Sequence, residues 1–94
     1  MTEPVHLNNH HRDTMAKILR HPTSHNVEWH AVLSLVGHIG RVDERHDGKV
    51  AVTIGGETQI LHRPRHKDID EQQVVELRRM LTAAGYRVDE RRED

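Results

Sequence analysis

Lys49-Val-Ala-Val-Thr-Ile-Gly-Gly-Glu-Thr-Gln-Ile-Leu-His62 is the stretch that decides the fold. Val50, Val52 and Ile54 alternate with Lys49, Ala51 and Thr53, the period of two of a strand with one buried face. Gly55-Gly56 is a two-residue turn signal, because glycine reaches positive φ without steric cost. Thr58 to His62 reads as a second strand folded back on the first. It runs into Arg63-Pro-Arg-His-Lys67. An apolar hairpin thus delivers a cationic cluster to one edge of the protein, and function is expected there.

Upstream, Asp47-Gly48 is a strong hairpin turn. Ile39 to Arg45 reads as another strand, weakened where Asp43, Glu44 and Arg45 crowd its end. Together these make a meander of three antiparallel strands. Downstream, Asp68 or Asp70 opens a helix, its acidic residues suited to the positive end. Val74, Leu77, Leu81 and Ala84 form its stripe, with Met80 alongside, and Gly85 is its C′ signal. Val88 adds a last contact, and Asp89 to Asp94 reads as a charged, flexible tail.

Two helices precede the sheet. Asn8 or Asn9 caps the first, which runs to about Arg20 with Met15, Ile18 and Leu19 on one face and is stopped by Pro22. Thr23-Ser24-His25-Asn26 is a polar link. The second runs from Val27 to about His38 under an Asn26 cap. Trp29, Val32, Leu33 and Val36 lie at i, i+3, i+4 and i+7, with Gly37 and Gly40 bracketing its end. The fold class is therefore α+β, in the order α-α-β-β-β-α. One face of the sheet is covered by the second and third helices. Without the first helix, this is the element order of double-stranded-RNA-binding domains.

The chain has 94 residues, a single domain with an ordered core over 8–88 and flexible ends at 1–7 and 89–94. Hydrophobic content is 34% and charged content 31%, with no Phe, one Trp and one Tyr, so the core must be aliphatic. The net charge of −1 gives no bulk polycation to attract nucleic acid. Ten histidines would make the protein cationic in mild acid. The absence of cysteine excludes disulfides and thiolate chemistry. No long apolar run or apolar leader core is present, so the expected location is the cytoplasm, without membrane contact.

Between Thr14 and Tyr86 the chain resembles the HicA family of bacterial toxin–antitoxin toxins. Asn26-Val27-Glu28-Trp29 with Val32, Leu33 and Gly37 resembles the family's helix opening. Asp47-Gly48-Lys49-Val50 falls at its Gly-Ser-His or Gly-Ser-Arg turn. His62-Arg63-Pro64 resembles its His-x-Pro or Val-Pro-x-His loop, and Val74 to Gly85 its closing helix. The resemblance implies a double-stranded-RNA-binding-domain-like fold. It also implies metal-independent endoribonuclease activity on mRNA without a cofactor, and a HicB-type antitoxin partner. The family's catalytic histidine follows the Gly-Ser of the turn, where this chain has Lys49. Lysine holds phosphate or stabilises a phosphorane oxyanion, but is a poor general base at neutral pH. Three readings follow. Catalysis has moved to other histidines, the protein binds RNA without cutting it, or it is a diverged interaction module that engages an antitoxin-type partner or forms a homodimer.

Metal-free RNA cleavage needs a base for the 2′-hydroxyl, an acid for the leaving oxygen and cations for the phosphorane. The candidates are His62, His66 and Lys49 for catalysis, and Lys49, Arg63, Arg65 and Lys67 for RNA binding. The structural alternative is a solvated basic loop that caps the sheet. His46 lies near Lys49 in the turn. His6/His10, His21/His25 and His62/His66 are each spaced i, i+4, but none sits on a clear helix and no cysteine supports them, so no metal site is assigned. Trp29 could stack a base, though its place in the helical period favours the core. Arg78 and Arg79 read as the wet face of the last helix, with Glu76–Arg79 an i, i+3 pair.

Overall fold

A computed structural model describes residues 7–20 and 26–86. The elements are α1 (Asn9–Leu19), α2 (Trp29–Ile39), β1 (Arg41–Glu44), β2 (Lys49–Ile54), β3 (Glu57–His62) and α3 (Glu71–Ala83). The order α-α-β-β-β-α and the antiparallel sheet β1-β2-β3, with β2 central, are as the sequence predicts. The expectations placed on His6, His21, Pro22, Thr23-Ser24-His25, Val88 and the 89–94 tail lie outside the described residues.

Both hairpins form where glycine permits them. Asp47 (φ 63°) and Gly48 (φ 72°) both take left-handed backbone, the requirement of a type I′ turn. Gly55 (φ 63°) opens the second turn. Val50, Val52, Ile54 and Leu61 point to the helices and are buried. The helices α2 and α3 supply Val32, Leu35, Val36, Val74, Leu77, Met80 and Leu81 to the same core. α1 packs against both α2 and α3, burying Met15 and Ile18 completely.

Three local expectations need correction. Leu7, assigned to a flexible end, is buried at 1% exposure, immediately before the Asn8 cap that accepts from the His11 amide. α2 begins at Trp29 rather than Val27, with Glu28 at the cap position and no side-chain cap bond. Asn26 is displaced because Val27 and Glu28 are extended and pair with the chain after β3. The Ile69 amide donates to the Val27 carbonyl (2.9 Å) and the Trp29 amide to the Lys67 carbonyl (2.7 Å). Finally, Leu35 rather than Leu33 completes the buried arc of α2, and Leu33 is half-buried at its rim.

α3 lies alongside β3, running from its His62 end toward Glu57. It begins under an Asp70 cap that accepts from the Gln73 amide (2.9 Å). It ends in a Schellman motif: the Gly85 amide donates to Thr82, the Tyr86 amide to Leu81, and Gly85 has φ 100°. Arg78 turns back to α1, donating to the carbonyls of Ile18 (3.0 Å) and Arg20 (2.8 Å), groups left without partners at that helix end.

Candidate nucleic-acid interface

The helices cover one side of the sheet and leave the other open. By strand alternation the open face carries Arg41 and Asp43 from β1, Lys49, Ala51 and Thr53 from β2, and Thr58, Ile60 and His62 from β3. The hydroxyls of Thr53 and Thr58 meet across it at 2.8 Å.

Lys49 and His62 are register partners. The Arg63 amide donates to the Gly48 carbonyl (2.9 Å), so Gly48–Arg63 is a hydrogen-bonded pair and Lys49–His62 is not. Non-hydrogen-bonded pairs hold their side chains closest, with Cα atoms about 4.5 Å apart. An ammonium and an imidazole from opposite ends of the hairpin therefore share one spot on the open face, and both are solvent-exposed.

His62 is also fixed from outside the sheet. Its amide donates to Gln73 Oε1 (2.7 Å), and its carbonyl accepts from Gln73 Nε2 (3.2 Å). The Gln73 amide stands in for one residue of a missing neighbouring strand. Sequence reasoning missed this clamp, since a lone Gln on a helix gives no local signal of a partner eleven residues away.

Arg63, one residue on, leaves the strand on the other face and meets Lys49 at the end of the sheet. With Glu44, Arg45, Gly48, Lys49 and Val50 it lines a shallow recess of about 240 Å³. Three cations, Arg45, Lys49 and Arg63, stand there against one carboxylate. In the sequence the neighbouring Asp43 and Glu44 mask the contribution of Arg45, which the fold brings to this recess.

The rest of the basic run spreads along the loop after β3. Arg65 and His66 are exposed on it. Lys67 reaches away from the sheet to Glu28, with Nζ 3.9 Å from the carboxylate. Of the six residues singled out in the sequence, the ladder brings together Lys49, His62 and Arg63.

Trp29 and Arg79 hold the structural roles that the sequence favours. Trp29, the chain's sole Trp, is 3% exposed and packs in the core. Arg79 is held by Glu57 and Glu76. The hydrogen bond from Arg79, then that from Gln59, hold the Glu57 carboxyl below the usual carboxylate range, and the same pairing raises the Arg79 guanidinium further. His62 and His66 keep their i, i+4 spacing off any helix, whereas His10 lies in the first turn of α1. Among the described residues, no group of three or more His, Cys, Asp or Glu is placed to hold a metal ion.

A second histidine cluster was not anticipated. His11 is 8% exposed, and its Nε2 lies 2.8 Å from Ser34 Oγ on α2. Its ring centroid is 5.0 Å from that of His38 and 6.0 Å from that of His10. Burial first, then the charges of His38 and His10, lower its pKa from 6.5. The contact to α2 is 23 residues distant in the chain, beyond the reach of local periodicity.

No helix among the described residues is long and apolar enough to cross a membrane. Comparison with protein-family models, with curated proteins and with solved structures finds no match to this chain.

Proposed function

We propose that this protein acts on RNA in the manner of the HicA-like toxins it resembles, through the end of the sheet that carries Lys49, His62 and Arg63. The observation that carries this reading is the cross-strand pairing of Lys49 with His62, next to the Gly48–Arg63 pair. Two segments separated by a full hairpin contribute cations to one end of the sheet, while the net charge of the whole chain is −1. Such local concentration suits phosphate contacts better than bulk attraction does.

The same surface favours structured RNA over unstacked bases. Single-strand binders stack bases on exposed aromatic rings. Here Trp29 and Tyr86 are each 3% exposed, and the chain has no Phe. Phosphate and 2′-hydroxyl contacts along a folded RNA need no such platform. In this reading Lys49, Arg63 and Arg65 hold the backbone, and Lys49 offsets charge on the phosphorane. His62 and His66 exchange protons with the attacking and leaving oxygens, without a metal ion. A HicB-type antitoxin is the corresponding partner.

The test is cleavage of a structured RNA by wild type, Lys49→Ala, His62→Ala and His66→Ala, with and without a chelator. Cleavage that survives the chelator and disappears in a histidine variant supports the reading. Chelator-sensitive cleavage removes the metal-free mechanism. Absence of both cleavage and RNA binding removes the function.

A further inference from the structure

Beyond the RNA reading and independent of it, the geometry points to the outer edge of β3 as a docking site for an extended, basic segment of a partner protein. The segment would add a fourth strand over the groove between β3 and α3.

The edge is unpaired for a definable length. Because Gly48–Arg63 is the hydrogen-bonded pair, the main-chain groups of His62, Ile60 and Thr58 point away from β2. At His62 both are taken by the Gln73 side chain. At Ile60 and Thr58 no strand among the described residues receives them. Gln73 thus closes one end of the edge and shows the demand that remains at the other. An incoming strand that pairs with Ile60 and Thr58 abuts the Gln73 amide, which fixes where pairing stops.

The flanking surface states what that strand carries. Gln59, Ile60, Leu61, His62, Asp70, Gln72, Gln73 and Glu76 line a groove of about 420 Å³ below the edge. Asp70, Glu71, Gln72 and Val75 line a second recess beside it. Among the described residues, the two exposed large hydrophobics, Ile60 (44%) and Val75 (45%), both border this region. Side chains of an added strand alternate. Those on the open-face side meet Ile60, which favours β-branched residues. Those on the helix side meet the carboxylates of Asp70 and Glu71, with Glu76, itself paired with Arg79, alongside, which favours Lys or Arg. The occupant is therefore a segment with alternating β-branched and basic residues.

A second copy of this chain fits poorly: the helix-side positions of its β3 are Glu57, Gln59 and Leu61, one acidic and none basic, so it offers no cation to the carboxylates beside the groove.

The full chain, labelled with ¹⁵N, is titrated with a nine-residue peptide of alternating Lys and Val, and with its Glu/Val counterpart. The Lys/Val peptide is expected to shift the Thr58 and Ile60 amides and slow their hydrogen exchange, and the Glu/Val peptide to bind at least about tenfold more weakly. Ile60→Pro removes an outward-facing N–H and no β2 ladder bond, a change edge strands tolerate. It should raise the Kd for the Lys/Val peptide at least about tenfold. Gln72→Lys adds a positive charge to the groove without touching the main chain, and should weaken binding severalfold. Equal binding of both peptides, shifts confined to other surfaces, or binding unchanged in both variants would overturn the proposal. Concentration-dependent shifts at Thr58 and Ile60 without peptide would overturn it in favour of self-pairing.

Discussion

Lys49 and His62 stand opposite one another across β2 and β3, in a pair whose main-chain groups turn away from each other. The Lys49 amide and carbonyl serve the β1 side, bonding to His46 and Arg45, while the His62 main chain is held by Gln73. The two side chains are therefore fixed on one face by three separate elements, and that face is the one the helices leave open. If it contacts RNA phosphates, Lys49→Ala should lower affinity roughly uniformly across RNA sequences. It should also reduce the slope of log affinity against log salt by about one. Filter binding across a potassium chloride series measures both.

Gln73 makes two hydrogen bonds that no other side chain replaces. Gln73→Ala leaves the outward amide and carbonyl of His62 to water at a half-open site, with an expected cost of about 1–2 kcal/mol. Chemical denaturation measures that loss, and faster exchange of the His62 amide should accompany it. An unchanged His62 exchange rate would show that the clamp is not formed in solution.

Arg78 joins α3 to the end of α1 through the carbonyls of Ile18 and Arg20. Arg78→Ala should destabilise the fold by about 1–3 kcal/mol, because these bonds have a charged donor. Arg79, on the neighbouring exposed position, pairs with surface carboxylates. Its replacement by Ala should cost less, since exposed ion pairs contribute little. Thermal melts of the two variants side by side test this ordering.

Two glycines at the end of α2 should respond in opposite directions. A Cβ at Gly37 meets nothing within 4 Å, so Gly37→Ala should stabilise the helix by about 0.5–1 kcal/mol. A Cβ at Gly40 would lie 2.0 Å from the Thr53 carbonyl oxygen, where backbone cannot yield cheaply. Gly40→Ala should therefore destabilise strongly. Equilibrium unfolding of both variants checks the contrast.

Stability should fall in mild acid through His11. Its pKa in the fold lies below its ordinary 6.5, from burial and from His38 and His10. As pH drops through about 6.5, the unfolded chain takes up this proton first, which favours unfolding. The contribution is fully present above 6.5 and is lost progressively below it, until the folded imidazole is protonated as well. Melting temperatures between pH 7.5 and 5.5 should drop more steeply for wild type than for His11→Gln. Parallel slopes would remove His11 as the source.

The features legible in the sequence are those fixed by neighbours in the chain. Alternation set β2 at Lys49–Ile54, Asp47-Gly48 set its turn, Asn8 set the start of α1, and Gly85 set the end of α3. What escaped was decided at a distance. α2 starts late because Val27 and Glu28 pair with residues 67–69. Leu35 displaces Leu33 because the width of the buried arc depends on how the other elements flank the helix. At the candidate site, alternation and turn chemistry give the hairpin and its cationic edge, and the register then sets Lys49 opposite His62. The clamp by Gln73, the capping role of Arg78 and the burial of His11 each join residues from different elements, where periodicity carries no signal.

The central claim is that the Lys49, His62 and Arg63 end of the sheet binds RNA. It is tested most directly by affinity for a structured RNA hairpin at low salt, comparing wild type with the combined Lys49→Ala and Arg63→Ala variant. The predicted result is salt-sensitive binding by wild type that falls at least about tenfold in the variant, while its melting temperature is retained. Equal affinity of the two proteins, or no binding by wild type at low salt, would contradict it.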